Sequence, residues 1–444
     1  MITTLIGKTF LKAYNEKYGK SYSAKEFFGQ EYFELFFNHN KYLMSGGNSP
    51  LENPKISWEK MQKGIVPYET EERRRERLEN FFEKAEGTGS VLDMGVAPGY
   101  PAAENTAATS GLVSDILIEN DEDDIYFSWF GASLGIGVAG GYNILINDAQ
   151  ITLETYKGWK YYRKYLNDPT LNKLRGNQIN SWNGQWLTYK LGKDYDENFD
   201  FSTLEMEKIF KVETAAAEVN TVNWSNLFFS LSNLYPDKVL NAYIYSFGQT
   251  NKTVGFIPFY LKAGKRLKDV FSQLFHTELP FENKDFQSLF GMHIKRACEL
   301  GNIGLHALRP ESLKKYMEDS KNISFKKEED NLIYQSYKTW LIAMISKNKE
   351  QITDYTGELA QLILRYRKSA KGTTGKNLIE KDLFGAKSKK GFIEALTEMI
   401  PDLDSEDLNA LKNLKDEVHL MTNEEFGYFS TLLKFDYSFA EKQS

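Results

Sequence analysis

The sequence predicts an α+β protein: a mixed α/β N-terminal region (residues 1–280) followed by an all-α helical bundle at the C-terminus (residues 281–444). Three observations predict it. From Ser90 to about Leu279, short apolar and β-branched runs alternate with Gly, Asn and Asp, the pattern of strands and turns. After Phe281, apolar residues recur at three-and-four spacing to the end, the period of amphipathic helices. A chain of 444 residues, 41% apolar and 26% charged, is a folded protein of two or three domains.

Taken in order, the residues up to about 85 read as helical, with turns at Ser45-Gly-Gly-Asn-Ser-Pro50 and around Pro54. Thr70–Lys84 alternates Glu with Arg73, Arg74, Arg75 and Arg77, a solvated helix laced by i,i+4 ion pairs. Val91-Leu-Asp-Met-Gly-Val-Ala-Pro-Gly99 reads as a strand entering a tight glycine turn, and Ile116–Glu119 as a second strand. Ile125–Asn147 is uncharged over 23 residues, yet its five glycines and acidic flanks favour a strand pair, or a strand and helix, over a membrane span. Further strands are expected at Tyr142–Ile146, Trp186–Tyr189, Leu240–Phe247 and Thr253–Tyr260, with Gly248–Lys252 as a hairpin tip. Helices are expected at Leu153–Leu166 and Leu204–Ala217. In the bundle they are expected at Phe286–Leu300, Leu332–Ile345, Thr356–Tyr366, Phe392–Ile400, Leu408–Leu420 and Glu425–Phe435. Pro310 and Pro401 mark helix boundaries, and Ser405 stands where a cap belongs.

Several chemistries find no residues to carry them. The single cysteine, Cys298, excludes an internal disulfide framework and a Cys-rich zinc site. The five histidines are scattered without metal-ligand spacing. The acidic run Glu119–Asp124 reads as a solvated loop, since a metal site needs carboxylates from separate elements. Gly372-Thr-Thr-Gly-Lys376 lacks the Walker spacing of a phosphate loop. No catalytic constellation assembles, and no catalytic, cofactor-binding or metal residue is assigned. Lys8, Lys12, Glu16 and Lys17 interrupt any N-terminal signal, so a reducing, cytoplasmic setting is expected.

One enzymatic alternative stays open. Asp93, Gly95 and Gly99 have the D-x-G-x-x-x-G spacing of the cofactor loop in class I S-adenosylmethionine-dependent methyltransferases. Glu119 follows at the distance of a ribose-binding acid, and Tyr142–Asp148 can pass for the fourth-strand motif. A nucleic-acid methyltransferase would use this Asp93–Gly99 loop. Against it, Pro101 falls where the loop should open a helix, and no catalytic signature follows.

Charge is segregated although the net charge is only −6. No Lys or Arg lies between Lys84 and Lys157, whereas Arg365–Lys390 holds nine basic and two acidic residues. Such a cluster binds phosphates by counterion release. Arg365, Arg367, Lys368, Lys371, Lys376, Lys387, Lys389 and Lys390 are therefore candidate nucleic-acid contacts, with Tyr366 as a stacking surface. A purely structural role at a helix C-terminus is the competing reading. Two polar turns offer base-edge readers: Asn48 beside Lys41, and Asn105 within Gly99–Gly111.

The run Gly7-Lys-Thr-Phe-Leu-Lys-Ala-Tyr14, with Phe36-Phe-Asn-His-Asn-Lys41 and Asn48-Ser-Pro50, resembles the large subunit of type I, I-B-like, CRISPR Cascade complexes. The order of a glycine-rich front, an aromatic middle (Trp182-Asn-Gly-Gln-Trp186, Asn223-Trp224) and a helical end is similar too. The Cys-x-x-Cys pairs of some relatives are absent here. The resemblance implies a non-catalytic ribonucleoprotein subunit for antiviral defence, partnered by crRNA, target double-stranded DNA and other Cascade backbone subunits. It implies recognition of the protospacer-adjacent motif (PAM), R-loop stabilisation and recruitment of a helicase-nuclease in trans, while guide pairing reads most of the target. It gives Asn48 and Asn105 to motif reading and Arg365, Arg367, Lys368, Lys371 and Lys376 to the displaced strand. It also raises separate translation of the helical portion from Met292 or Met317.

Overall fold

The structure, a computed structural model, describes residues 2–44, 46, 49–52, 60–61, 63–86, 123–213, 216–246, 252–318, 327–346, 355–370 and 374–444. It is a mixed α+β fold, mostly helical, with a small antiparallel sheet and a helical C-terminal region. Two units divide the chain, Met1–Tyr260 and Leu261–Ser444. The Val91–Gly99 turn, the Ile116–Glu119 strand and the Gly99–Gly111 loop lie outside the described residues.

In the first unit α1 (Ile2–Tyr18) is followed by a helical run over 24–36 with a π turn at Phe28–Tyr32, then by α2 (Glu71–Glu86) and α3 (Asp124–Ser133). Helices α1 and α3 meet backbone to backbone. A Cβ on Gly7 would sit 2.0 Å from the Phe127 carbonyl oxygen, and one on Gly131 would sit 1.9 Å from that of Thr3. Only glycine permits that approach. Around this crossing Phe10, Phe27, Phe130, Tyr156 and Trp159 are buried. They meet tilted or edge to face, the latter as at Phe27–Phe130 (5.0 Å, 84°), an arrangement ring quadrupoles favour. Helix α2 is the solvated, ion-paired helix its charge pattern predicts: Arg75 pairs with Glu71 at 2.7 Å and Glu34 at 3.2 Å.

The uncharged stretch 125–147 resolves into α3, β1 (Ile136–Val138) and β2 (Tyr142–Ile146), turning at Gly140 and Gly141. Among the described residues no helix is long and apolar enough to cross a membrane. Asp148 caps α4 (Ala149–Asn167), accepting from the Gln150 and Ile151 amides.

Two expectations fail between residues 179 and 219. Trp186–Tyr189 is not a strand but part of α5 (Ile179–Lys190), because Trp182 and Trp186 stack one helical turn apart (6.0 Å, 19°) and both indole N–H groups find carbonyls. The helix expected at Leu204–Ala217 stops early. A short helix Phe201–Met206 ends before Lys208, whose φ of 56° is left-handed, and a hairpin follows: β3 (Phe210–Val212) with β4 (Ala217–Val219). Phe210 stacks on Phe201 at 4.6 Å and on Trp182 at 5.7 Å, a tertiary reward that outweighs local helix propensity.

Helix α6 (Trp224–Leu234) leads to β5 (Val239–Ser246) and β6 (Lys252–Tyr260). The sheet order is β1-β2-β5-β6, antiparallel throughout, with Tyr142 opposite Ser246 and Ile146 opposite Ala242. Of the hairpin tip expected at Gly248–Lys252, residues 248–251 lie outside the described residues and Lys252 opens β6. Tyr142–Asp148 is thus an antiparallel strand and a helix cap. A methyltransferase's fourth strand would be parallel to its neighbours.

The second unit opens with α7 (Lys262–Phe275) and continues to α8 (Glu328–Ile345), α9 (Tyr355–Ser369), α10 (Lys389–Met399), α11 (Ser405–Leu420) and α12 (Asn423–Gln443). The last five match the periodicity. The continuous helix expected at Phe286–Leu300 is instead two short ones, Lys284–Gln287 and Ile294–Glu299. Gly291, at φ 95°, interrupts the run between them, and His293 caps the second by accepting from the Lys295 amide. Pro310 precedes a short helix Leu313–Glu318, and Pro401 sits in a 3₁₀ turn after α10. The α11 cap falls one residue before Ser405: Asp404 Oδ1 accepts from the Asp407 amide at 2.9 Å.

Candidate nucleic-acid interface

The basic segment spans the end of α9, a helical passage over 374–383 with a π turn at Leu378–Leu383, and the start of α10. Helix α9 buries Leu359, Ile363 and Leu364, which places the cations of 365–368 at its C-terminal turn, where the helix dipole favours positive charge. Tyr366 goes inward and is only 4% exposed, so the expected stacking surface is a core residue instead. Leu378, Ile379 and Leu383 anchor the passage, leaving its lysines outside.

Three of the candidate cations of this segment are committed within the fold. Arg365 pairs with Asp407 of α11. Arg367 pairs with Glu441 and donates to the Tyr437 hydroxyl at 2.7 Å, both on α12. Lys389 Nζ donates to the carbonyls of Met421 (2.8 Å) and His419 (3.3 Å), satisfying the end of α11. Arg365 and Arg367 thus link α9 to α11 and α12, and Lys389 links the start of α10 to the end of α11.

The remaining described cations face solvent. Lys368 and Lys387 are exposed and make no ion pair among the described residues. Lys376 stands 3.8 Å from Glu380, and Lys390, 85% exposed, stands 3.6 Å from Glu394. Exposed pairs of this length are worth about 0–1 kcal/mol, little enough for a phosphate to displace the carboxylate. Lys381 is exposed too, a residue outside the expected contacts although it lies in the same charge cluster. Lys371 lies outside the described residues.

Asn48 and Asn105 lie outside the described residues, as do Asp93–Gly99 and Glu119. Lys41 is committed internally: its Nζ donates to the carbonyls of Asn172 (2.7 Å) and Leu174 (2.8 Å). Burial, with Arg163 adding its charge, pulls the Lys41 ammonium down to about 8. Arg163 is itself buried, donating to the Leu35 and Lys41 carbonyls at 2.7 and 3.0 Å. The Phe36–Lys41 motif is therefore a helix end whose carbonyls are satisfied by the Arg163 guanidinium.

What the segment offers chemically is a set of exposed ammonium groups on a helical scaffold, suited to a polyanion without sequence preference. No family model, curated protein or solved structure matches this chain.

Proposed function

We propose that this protein is a non-catalytic, DNA-binding subunit of an RNA-guided assembly of the type I CRISPR Cascade kind. In this role it recognises a protospacer-adjacent motif on duplex DNA and holds the displaced strand of the R-loop. Its partners are crRNA, target DNA, the other backbone subunits and a helicase-nuclease recruited in trans. One observation carries the reading: within Lys368–Lys390 five lysines (Lys368, Lys376, Lys381, Lys387 and Lys390) are exposed on a helical scaffold while Arg365, Arg367 and Lys389 fix that scaffold. The sequence resemblance supplies the guide RNA and the partners.

The test is DNA binding by the purified full-length protein across a salt series. Combined Lys368→Glu, Lys387→Glu and Lys390→Glu substitution is expected to weaken binding to single-stranded DNA and to lower the slope of log K against log salt. The drop is about 0.7 for each lost phosphate contact. An unchanged slope would remove the proposed face.

A further inference from the structure

Strands β5 and β6 carry an aromatic face in solvent. In their register Val239 stands opposite Tyr260, Asn241 opposite Pro258 and Tyr243 opposite Phe256. Alternation puts these on one side of the hairpin and Leu240, Ala242, Ile257 and Phe259 on the other. The second set is buried, with Phe259 meeting Phe228 of α6 at 5.9 Å. The first set is open: Phe256 is 63% exposed, Tyr260 46% and Val239 49%. Contiguous apolar surface of this kind, rimmed by polar groups, marks a binding site. Tyr243 crosses the Phe256 ring at 5.1 Å and 66°, supporting it from the neighbouring strand. Beside that pair the Tyr243 and Thr253 hydroxyls lie 3.0 Å apart in an exposed position.

Charge selects the partner. From Lys238 to Tyr260 the chain has no carboxylate, and its only charged residues are those two strands' lysines, Lys238 and Lys252. Lys238 pairs with Asp148 at 2.6 Å, whereas Lys252 is exposed and makes no ion pair among the described residues. We infer that this face binds single-stranded RNA, with bases stacked on Phe256 and Tyr260. Every base has a π face, so exposed rings take bases of any sequence. The two rings lie four residues apart on one strand, about 13 Å along it. Asn241, exposed and opposite the intervening Pro258, offers its carboxamide to a base edge. Lys252 supplies charge for a phosphate. The paired hydroxyls of Tyr243 and Thr253 suit the ribose 2′-hydroxyl, a donor and acceptor that DNA lacks. The face lies in the first unit and includes none of the lysines of the basic segment, so it stands independently of the proposed DNA-binding face.

The experiment uses the full-length protein and two probes of equal length, oligouridylate and oligodeoxyuridylate, by fluorescence anisotropy. Phe256→Leu keeps apolar bulk and removes the π face, while Phe256→Trp keeps and enlarges that face. Thermal melts establish that both variants stay folded. Saturable RNA binding is expected, about tenfold weaker in Phe256→Leu, within the range for one lost base stack. Phe256→Trp is expected to bind at least as tightly as the unsubstituted protein, with its added indole fluorescence quenched by the bound RNA. RNA is expected to bind more tightly than DNA, and Tyr243→Phe to narrow that preference. No saturable RNA binding, an unchanged affinity in Phe256→Leu, or DNA bound as tightly as RNA would overturn the inference. So would a dimer, seen by sedimentation, that Phe256→Leu preserves and oligouridylate does not dissociate, because a second copy would then cover the face. The Lys368, Lys387 and Lys390 reversal should leave the effect of Phe256→Leu on RNA binding unchanged, so failure of the DNA face and failure of the aromatic face are read separately.

Discussion

His39 shows how a single side chain can tie stability to pH. Its Nδ1 accepts from the Lys41 backbone amide at 2.9 Å, which requires a neutral ring. Burial and then the Arg163 charge hold the imidazole down to about 4, outweighing the Lys41 carbonyl that favours the charged form. In the unfolded chain the ring protonates near 6.5, so between pH 6.5 and 4 the unfolded state binds the extra proton and stability falls as pH falls. His39→Asn keeps an acceptor in that place and removes the titration. It is expected to flatten the stability slope across that window in urea titrations at stepped pH, and an unaltered slope would show that other groups set it. The α1–α3 crossing yields a second prediction at this scale. A methyl at Gly131 collides with the Thr3 carbonyl, so Gly131→Ala should force the helices apart. The expected cost is about 1–3 kcal/mol or more, read as a lowered urea midpoint with an unchanged m-value.

Elements were legible where their signal was local and hidden where a distant partner decided. Helices α8 to α12 and strands β2, β5 and β6 follow from periodicity because each buries one stripe or face of its own sequence. The errors at 186–189 and 204–217 share a cause. Aromatic residues that read as strand or helix by propensity are placed by rings elsewhere in the chain, Trp182 above all. The candidate site divides the same way. Its charge density was visible, but not which cations were already spoken for, since the partners of Arg365, Arg367 and Lys389 lie 42, 74 and 32 residues away. Adjacent lysines make the distinction testable. Lys389 satisfies carbonyls at the end of α11, so Lys389→Met should destabilise the protein by about 0.5–2 kcal/mol. Lys390, almost wholly in solvent, should change stability by less than about 0.5 kcal/mol when replaced by Met, yet weaken DNA binding. Equal melting shifts for the two would erase the division between scaffold and contact cations.

At the scale of the whole molecule, the two units carry different burdens. The first concentrates the aromatic core and the sheet, and the second carries the exposed lysines of the basic segment. The second begins at Leu261, and its first helix belongs to its core. Arg266 of α7 donates to the Ser346 carbonyl at 2.7 Å at the end of α8, and Leu267, Val270 and Phe271 are buried. Phe271 also meets Phe281 and Phe286 at 5.8 and 5.2 Å. A product started at Met292 loses all of these, and one started at Met317 begins inside the helix Leu313–Glu318. Burial of three such side chains is worth roughly 5–9 kcal/mol, comparable to the entire stability of a typical domain. A fragment spanning 261–444 is therefore expected to melt cooperatively with a helical circular dichroism spectrum, whereas 292–444 should bind a hydrophobic dye and lose its sharp transition. Equal cooperativity in the two fragments would mean that α7 is dispensable to the bundle, and a start at Met292 would then be a sufficient boundary for a separately made helical subunit.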